Sequence, residues 1–470
     1  MTNVIIAALT QAAADVGNIE TALEEANALA VPPTTSMLAP GADEVSAAIT
    51  ALLSGHAQAY QELAAQAAGF HRQFTALLAQ AGAAYQTTEQ ASEQLLGDPV
   101  MKVQQPLAPL LPSPNITPVP PRVPTDSSIG LILGGTFSPF NPKCLSAASL
   151  YNLPQLNSLL YTPEQFWPVT PQLGGLTLDQ SIAKGTSLLN QEIQTQWAAG
   201  NHVTVWGTSQ SAVIETDEIR NLMAQGSPNT NKLSFILTGD PNNPNGGALE
   251  RFTGAYIPLV NASANGATPA NSPYPTAIYT DQYDPVADFP NYPLNAVSDL
   301  NAVMGLGQHN YLLPRTYYQL PTSPGYSGNT TYYMSLDNQL PLVEPLQMLG
   351  AAGNAVADLL QPDLRVIVDM GYSTGDYANL ATPAQLIEIP NVPVIAHDLA
   401  TGAVQGVHAF GVDLGLLPQS YFPNAYPYLP ALDPQLNFTT GQPSVTGISL
   451  LTGAEHQLMN SLGLIPKWDQ

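Results

Sequence analysis

A serine lies where a predicted strand turns sharply into a predicted helix. The apolar run His202–Gly207 has the pattern of a strand and Ser211–Gly226 that of a helix, with Ser209 in the turn between them. Such a turn, a nucleophile elbow, lifts a serine above a sheet when the residues two before and two after it are small; here they are Gly207 and Ser211. The segment reads GxSxS where the usual form is GxSxG. We expect Ser209 to act as a nucleophile; the alternative is a polar turn in which a serine caps the helix.

A nucleophilic serine needs a general base and a carboxylate that orients the base. In hydrolases built around such an elbow, the acid and then the histidine follow the serine along the chain, on loops after later strands. Downstream of Ser209, the strand-like run TAIYT ends directly before three carboxylates, Asp281, Asp284 and Asp288. We favour Asp284, in its Asp-Pro-Val setting, with Asp281 as the alternative. At least two of the three are expected to lie in a solvated acidic loop.

Seven histidines are available as the base. His309 follows the acidic loop in a glycine-rich stretch, Gly305-Leu-Gly-Gln-His309, and so has the expected place in the chain order. We favour His309, with His397 as the second choice. A purely structural histidine is the alternative for either of them.

The oxyanion of an acyl-transfer intermediate needs backbone N–H donors, one of which comes from the residue after the nucleophile. Gln210 supplies that donor. The second is expected from Thr136, because Gly134 and Gly135 precede it at the end of the apolar run GLILGG and allow a close backbone approach. The sequence contains neither a cluster of His, Asp and Glu with metal-ligand spacing nor a glycine-rich phosphate motif, so we expect no metal and no cofactor.

Strands and helices alternate around these residues. Strand-like runs begin at Gly130, Leu233, Thr276 and Leu364, and a helical pattern covers Leu176–Gly200. Apolar strands separated by helices predict a mostly parallel sheet with helices on both faces. We place this α/β domain at residues 129–375. Residues 376–470 have no clear pattern and are expected to pack on it as a C-terminal extension.

The first 96 residues have a different pattern. Apolar residues recur at helical spacing from Ile5 to Ala26 and from Val45 to Ala84, which predicts an antiparallel helical hairpin broken by Pro32, Pro33, Pro40 and Gly41. Two alanine-rich helices bury little surface, so the apolar stripe is expected to pair with a helical partner. A proline-rich stretch, residues 97–128, predicts an extended linker.

Composition excludes several functions. The chain has 470 residues, with 11 Lys and Arg against 35 Asp and Glu, a formal net charge of −24. So few basic residues exclude nucleic acid as a main partner and argue against docking on an anionic bilayer. A single cysteine, Cys144, excludes an intramolecular disulfide. The N-terminus lacks the features of a Sec signal peptide, and no apolar run of about 18 residues predicts a transmembrane helix.

The hairpin resembles the PE domain of mycobacterial PE proteins in its length, alanine content and scarcity of basic residues. Tyr85-Gln-Thr-Thr-Glu89 matches the YxxxD/E signal of type VII secretion substrates, although Ala8 and Leu9 stand where the family has its Pro-Glu dipeptide. The resemblance implies export by a type VII route to the cell envelope or beyond, and pairing with a PPE protein.

The region from about Gly130 to Tyr372 resembles the PE-PPE domain, a serine-hydrolase module of α/β-hydrolase fold related to cutinases and lipases. Its GxSxS hallmark is met by Gly207, Ser209 and Ser211. The resemblance implies esterase activity on acyl esters, in lipid metabolism, through a Ser-Asp-His triad. We therefore expect a secreted or cell-envelope carboxylesterase. The alternative is a non-catalytic surface or scaffold protein that acts through its hairpin.

Overall fold

The computed structural model describes residues 128–258, 260–372, 377–386, 388–423, 436–437 and 445–462, together with a discontinuous set between residues 17 and 72 whose longest run is 24–36. The chain divides into two compact units, Met1–Pro106 and Leu107–Gln470. Among the described helices, none combines the length and the apolar character needed to span a bilayer.

In the first unit, residues 24–35 are helical. The prediction that Pro32 and Pro33 break this helix is wrong, because it continues for two residues beyond them. Thr34 and Thr35 donate their hydroxyls to the carbonyls of Ala30 and Val31, at 2.5 and 2.6 Å, and so satisfy helix carbonyls near the prolines. Arg72 pairs with Glu24 at 2.8 Å, which brings the second helical stretch beside the first.

The second unit is built on a seven-stranded sheet in the order β2-β1-β3-β4-β7-β9-β8. The nine strands among the described residues are β1 (Ile129–Ile132), β2 (Asn157–Leu159), β3 (Val203–Thr208), β4 (Leu233–Thr238), β5 (Tyr256–Ile257), β6 (Ala262–Ser263), β7 (Thr276–Asp281), β8 (Tyr317–Gln319) and β9 (Thr330–Ser335). Every pairing in this sheet is parallel except β8 with β9. Strands β5 and β6 form a separate antiparallel pair.

The described helices of this unit are α1 (Ala147–Leu150), α2 (Leu178–Ala198), α3 (Gln210–Ala224), α4 (Ala248–Arg251), α5 (Ala296–Met304), α6 (Glu344–Gln347), α7 (Ala351–Met370), α8 (Val392–Asp413) and α9 (Gly447–Ser461). Short 3₁₀ helices cover Pro142–Ser146, Gly305–Gln308, Pro341–Val343 and Gln419–Tyr421. The prediction of a mostly parallel sheet with helices is confirmed.

Successive residues of the central strands face two different cores, as the alternation of side chains along a strand requires. On one face, Val205 and Phe235 pack with residues of α2 and α3. On the other, Trp206 and Ile236 pack with α1 and with a group of tyrosines. Strands β3 and β4 are buried on both faces, which explains their continuous apolar runs.

The run LRVIVDM, predicted as a strand from Leu364, is instead the end of helix α7. A short apolar run has the same composition in a buried helix as in a buried strand, so its pattern does not separate the two. On the side of β7 away from β4, the neighbouring strand is β9, Thr330–Ser335, which the sequence pattern did not reveal. Helix α8 contributes Ile395 to a small core with Val366 and Met370 of α7.

Candidate active site

Ser209 occupies a strained turn between β3 and α3. Its φ of 58° and ψ of −118° are unusual for a residue with a side chain, and its hydroxyl makes no capping hydrogen bond to the helix. A Cβ on Gly207, near the end of β3, would lie 2.3 Å from Oε1 of Glu215 and 3.1 Å from the carbonyl carbon of Ser211, so a larger residue would crowd the start of α3. These features are those of a nucleophile elbow and not of a helix-capping serine.

Ser211 has a specific function in the turn in addition to its small size. Its Oγ accepts a hydrogen bond from the N–H of Thr208 at 2.8 Å and donates one to the carbonyl of Thr208 at 3.0 Å. A glycine at this position would leave that N–H at the end of β3 without this acceptor. The hydroxyl thus explains chemically why GxSxS serves here in place of GxSxG.

Asp284 and His309 lie side by side beyond the end of β7. Nδ1 of His309 is 2.7 Å from Oδ2 of Asp284, whose side chain is completely buried. The other carboxylate oxygen, Oδ1, accepts from the N–H of Val286 at 2.9 Å. The carboxylate is therefore held by donors on both oxygens and is directed at the imidazole.

The end of β4 connects this pair to the elbow. The N–H of Ser209 donates to the carbonyl of Thr238 at 3.0 Å, and the next residue, Gly239, lies against the imidazole. A Cβ on Gly239 would be 2.7 Å from Cε1 of His309. Among the described residues, the buried Nε2 of His309 has no hydrogen-bond partner. Ser209, Gly239 and Asp284 thus follow the carboxyl ends of the parallel strands β3, β4 and β7, and His309 packs against Gly239 there.

The alternative acid and base have other partners. Oδ2 of Asp281 lies 2.7 Å from Nε of Arg315. His397 pairs with its neighbour Asp398 at 3.0 Å on helix α8, with its side chain 61% exposed. The third carboxylate, Asp288, is buried and accepts from the N–H of Tyr283 at 2.8 Å. The acidic loop is thus buried, contrary to the expectation that most of it is solvated.

The predicted oxyanion donors are held together by one side chain. Nε2 of Gln210 donates to Oγ1 of Thr136 at 3.2 Å and to the carbonyl of Gln165 at 3.1 Å. Ser181 donates to Oε1 of the same amide at 2.8 Å. Gln210 is the first residue of α3, where backbone N–H groups have no acceptor within the helix. A Cβ on Gly135 would lie 3.3 Å from Cβ of Ser209, so the Thr136 loop runs directly beside the elbow.

The electrostatics of the site favour a protonatable histidine. Burial lowers the pKa of His309, but the charge of Asp284, its hydrogen bond and the charge of Asp281 outweigh burial and raise the pKa above 6.5. Beneath the elbow, burial and then the charge of Asp240 raise the pKa of Glu215 well above its ordinary value. Burial therefore favours the neutral form of the Glu215 carboxyl.

Sequence reasoning missed two residues of the site. Tyr311 donates its hydroxyl to Oδ2 of Asp284 at 2.6 Å, and Gly239, with a φ of 57°, gives room to both Tyr311 and His309. The place of Tyr311 two residues after the predicted base was a usable signal, as was Gly239 directly after strand β4.

The remaining predicted residues, Tyr85 and Glu89, lie outside the described residues. The part of the chain that the structure describes contains no group of acidic, histidine or cysteine side chains able to hold a metal ion.

Comparison with known proteins identifies the family. Residues 154–373 match the PE-PPE domain, and residues 3–92 match the PE family. The PE family protein PE3 of Mycobacterium tuberculosis is 45% identical over 461 residues, which cover 95% of each chain. Esterase PE16 of the same species is 38% identical over 414 residues, covering 84% of this chain and 74% of its own.

One solved structure, a cutinase-like protein from Cryptococcus sp., is 19% identical with a TM-score of 0.24, over 34% of this chain and 79% of its own. The resemblance found in the hairpin and the elbow is confirmed by the family matches and by the long alignments. The chain belongs to the PE family and carries a PE-PPE domain after its PE domain.

Proposed function

We propose that this protein is a serine carboxylesterase that hydrolyses acyl esters, with Ser209, His309 and Asp284 as its catalytic residues. The observation that carries the proposal is the position of Ser209 in a strained turn between a strand and a helix. Beside this turn, Gly239 follows the end of the neighbouring strand and packs against His309, which pairs with the buried carboxylate of Asp284. The similarity to a relative named as an esterase supports the same reaction class.

Catalysis proceeds through an acyl-enzyme. Ser209 Oγ attacks the ester carbonyl carbon while Nε2 of His309 takes the hydroxyl proton. The N–H groups of Gln210 and Thr136 stabilise the oxyanion. The intermediate collapses, the C–O bond breaks, and His309 returns the proton to the leaving alcohol. Water then attacks the acyl group by the same route and releases the acid.

Asp284 orients the imidazole through Nδ1 and stabilises its positive charge. A buried carboxylate in this position keeps the imidazole in the tautomer whose Nε2 can accept a proton. Because only the residues of this chain take part in these steps, we propose that the reaction requires neither a metal ion nor a cofactor.

Apolar side chains near the elbow support an acyl substrate. Phe137 and Phe140 follow Thr136 on its loop and are 55% and 57% exposed, and Trp167 follows Gln165 and is 44% exposed. The amide of Gln210 bonds to both loops, so these aromatic residues lie on segments held to the elbow. Exposed aromatic surface of this kind binds hydrocarbon better than it binds water.

The reaction is tested with a fluorophosphonate probe and with p-nitrophenyl esters of short to medium chains. The wild type should react covalently at Ser209 and hydrolyse the esters, and Ser209→Ala should do neither. Ser211→Ala is the matched control and should still react with the probe. A wild-type protein that resists the probe and cleaves no ester would favour the alternative, a surface or scaffold protein without activity.

We also propose export by a type VII route to the cell envelope or beyond, on the basis of Tyr85 and Glu89 in the PE domain. Tyr85→Ala should remain in the cytosol of a mycobacterial host, while Tyr60→Ala, outside the motif, is the control. Normal export of Tyr85→Ala would contradict the proposal.

The hairpin of residues 1–96 is proposed to pair with a PPE protein. Its apolar stripes exceed what two thin helices bury against each other. Co-expression with candidate PPE proteins and purification on a tag at the C-terminus of this chain should recover a one-to-one complex. Replacement of Leu9 and Val16 by Ser should abolish it, and recovery of the same complex with that variant would overturn the assignment.

The proposed boundaries place the linker at residues 97–128, the hydrolase domain at 129–375 and the C-terminal extension at 376–470. Limited proteolysis of the whole protein should cut first between residues 97 and 128. First cuts within 129–375 would contradict this division.

A further inference from the structure

The hydroxyl of Tyr311 lies between two aspartates of the acidic loop. It donates to Oδ2 of Asp284 at 2.6 Å and accepts from the N–H of Asp281 at 2.9 Å. Because a backbone N–H can only donate, it occupies the phenol oxygen as acceptor and leaves the single phenol hydrogen for Asp284. The direction of the bond to the carboxylate is therefore settled by geometry. Burial and then the charge of Asp284 raise the pKa of Tyr311 well above its ordinary value, so the phenol keeps this hydrogen.

Tyr311 is held rigidly on several sides. Its own carbonyl accepts from the hydroxyl of Tyr151 at 3.0 Å, and a Cβ on Gly239 would lie 2.5 Å from its Cε2. The ring stands nearly perpendicular to that of His309, with centroids 5.7 Å apart. Because the Tyr311 ring has little freedom to move, its hydrogen bond restricts the position of the Asp284 carboxylate.

We propose that Tyr311 is a positioning residue of the esterase, which holds Asp284 in the rotamer that meets His309 and draws charge from the oxygen they share. The inference rests on the proposed function. Oδ2 of Asp284 accepts from both Tyr311 and Nδ1 of His309, so the two donors share the charge of one oxygen. Loss of the phenol hydrogen leaves more of that charge to stabilise the protonated imidazole.

Several titratable or charged groups near His309 influence its pKa. Asp281 faces this histidine from the end of β7 and Asp284 from the loop that follows, with Asp288 close to Asp284. Tyr311 lies two residues after His309 and contacts the imidazole ring with its own ring. Arg315 and Tyr317 contact Asp281 and are one step further away. Of these groups, Tyr311 is the neutral donor that shares an acceptor oxygen with the histidine.

The test compares Tyr311→Phe with Tyr317→Phe, because Tyr317 donates to Oδ1 of Asp281, at 3.1 Å, and not to Asp284. Rates are divided by the concentration of sites that react with the fluorophosphonate probe, so that unfolded protein does not count. Tyr311→Phe should lower kcat about tenfold with KM unchanged, the loss expected for a hydrogen bond to a charged group. The acidic limb of its kcat/KM profile should move to higher pH by about 0.5 to 1 unit. Tyr317→Phe should leave the plateau unchanged and move the limb less, because Asp281 acts on His309 through its charge and is not hydrogen-bonded to the imidazole.

A second substitution keeps the packing and acts in the opposite direction. 3-Fluorotyrosine at position 311 is a stronger donor, so the acidic limb should move to lower pH. Unchanged limbs in both variants, or an equal shift in Tyr317→Phe, would overturn the positioning role while ester hydrolysis by the wild type stands. Absence of probe reaction and of hydrolysis in the wild type would instead overturn the proposed function.

Discussion

Nδ1 of His309 lies 2.7 Å from Oδ2 of Asp284, although 25 positions separate the two residues along the chain. Helix α5 and a 3₁₀ helix lie between the two residues, and the chain returns after them to the end of the sheet where β7 ends. Parallel strands end at the same edge, so loops that follow them meet there. The order of the strands in the sheet therefore brings the two residues together. Substitutions can separate the function of Asp284 from that of its neighbour Asp281.

Asp284→Asn should lower kcat/KM by roughly 10³–10⁴-fold, because an amide leaves the imidazole in the wrong tautomer and without charge stabilisation. Asp281→Asn should retain most of the activity per folded molecule. It breaks a buried ion pair with Arg315 and should cost about 3 kcal/mol of the free energy of unfolding. Steady-state kinetics and urea unfolding on both variants check this. The reverse pattern would assign the orienting acid to Asp281.

Ser211→Ala should destabilise the protein by about 1–2 kcal/mol, since the N–H of Thr208 loses its acceptor at a partly buried position. The exposed Ser149, which donates to a nearby carbonyl, is the control, and Ser149→Ala should stay within about 0.5 kcal/mol of wild type. Urea unfolding measures both. Equal stability of the two variants would show that Ser211 merely fills space.

Gln210→Ala should lower kcat about ten- to a hundredfold with little change in KM. Its amide holds the Thr136 loop. Without that amide the Thr136 N–H is displaced, which weakens stabilisation of the oxyanion in the transition state more than it weakens binding of the substrate. Ser181→Ala removes one donor to this amide and should have a smaller effect in the same direction. A loss confined to KM would assign Gln210 to substrate binding.

The kcat/KM of the wild type should rise with pH on a limb whose midpoint lies above 6.5, because the neutral imidazole is the base and the pKa of His309 is raised. A pH series with an ester whose leaving group does not titrate in this range measures the midpoint. A midpoint below 6.5 would indicate that burial outweighs the charges of Asp284 and Asp281.

Glu164 should make the protein less stable as pH rises. Burial raises its pKa to about 8, so the folded state keeps a proton that the unfolded state releases near pH 4.5. Its contribution to stability is complete below that value and is lost as pH rises through about 8. Glu164→Gln should therefore lose less stability between pH 5 and 8 than the wild type or the partly exposed control Glu192→Gln. Parallel curves for all three in urea unfolding would contradict this.

The sequence alone determined the features that depend on local sterics. The elbow at Ser209 follows from a strand, a glycine, a small residue and a helix within ten positions, and the same residues produce it in the structure. The alternation of strands and helices likewise predicted the parallel sheet. The family resemblance depended on the GxSxS segment and on the length, alanine content and scarcity of basic residues of the hairpin.

Tertiary structure decided what local pattern left open. Asp281 ends β7 and Asp284 lies three residues further on, so their surroundings in the sequence hardly distinguish them. The partners that separate them, Arg315 and Tyr311, lie about thirty positions away along the chain. The run after Leu364 became helix for the same kind of reason, because burial in a helical core and burial in a sheet require the same apolar residues. The residues next to each aspartate do not indicate which distant side chains will contact it, and only the folded chain brings those side chains together.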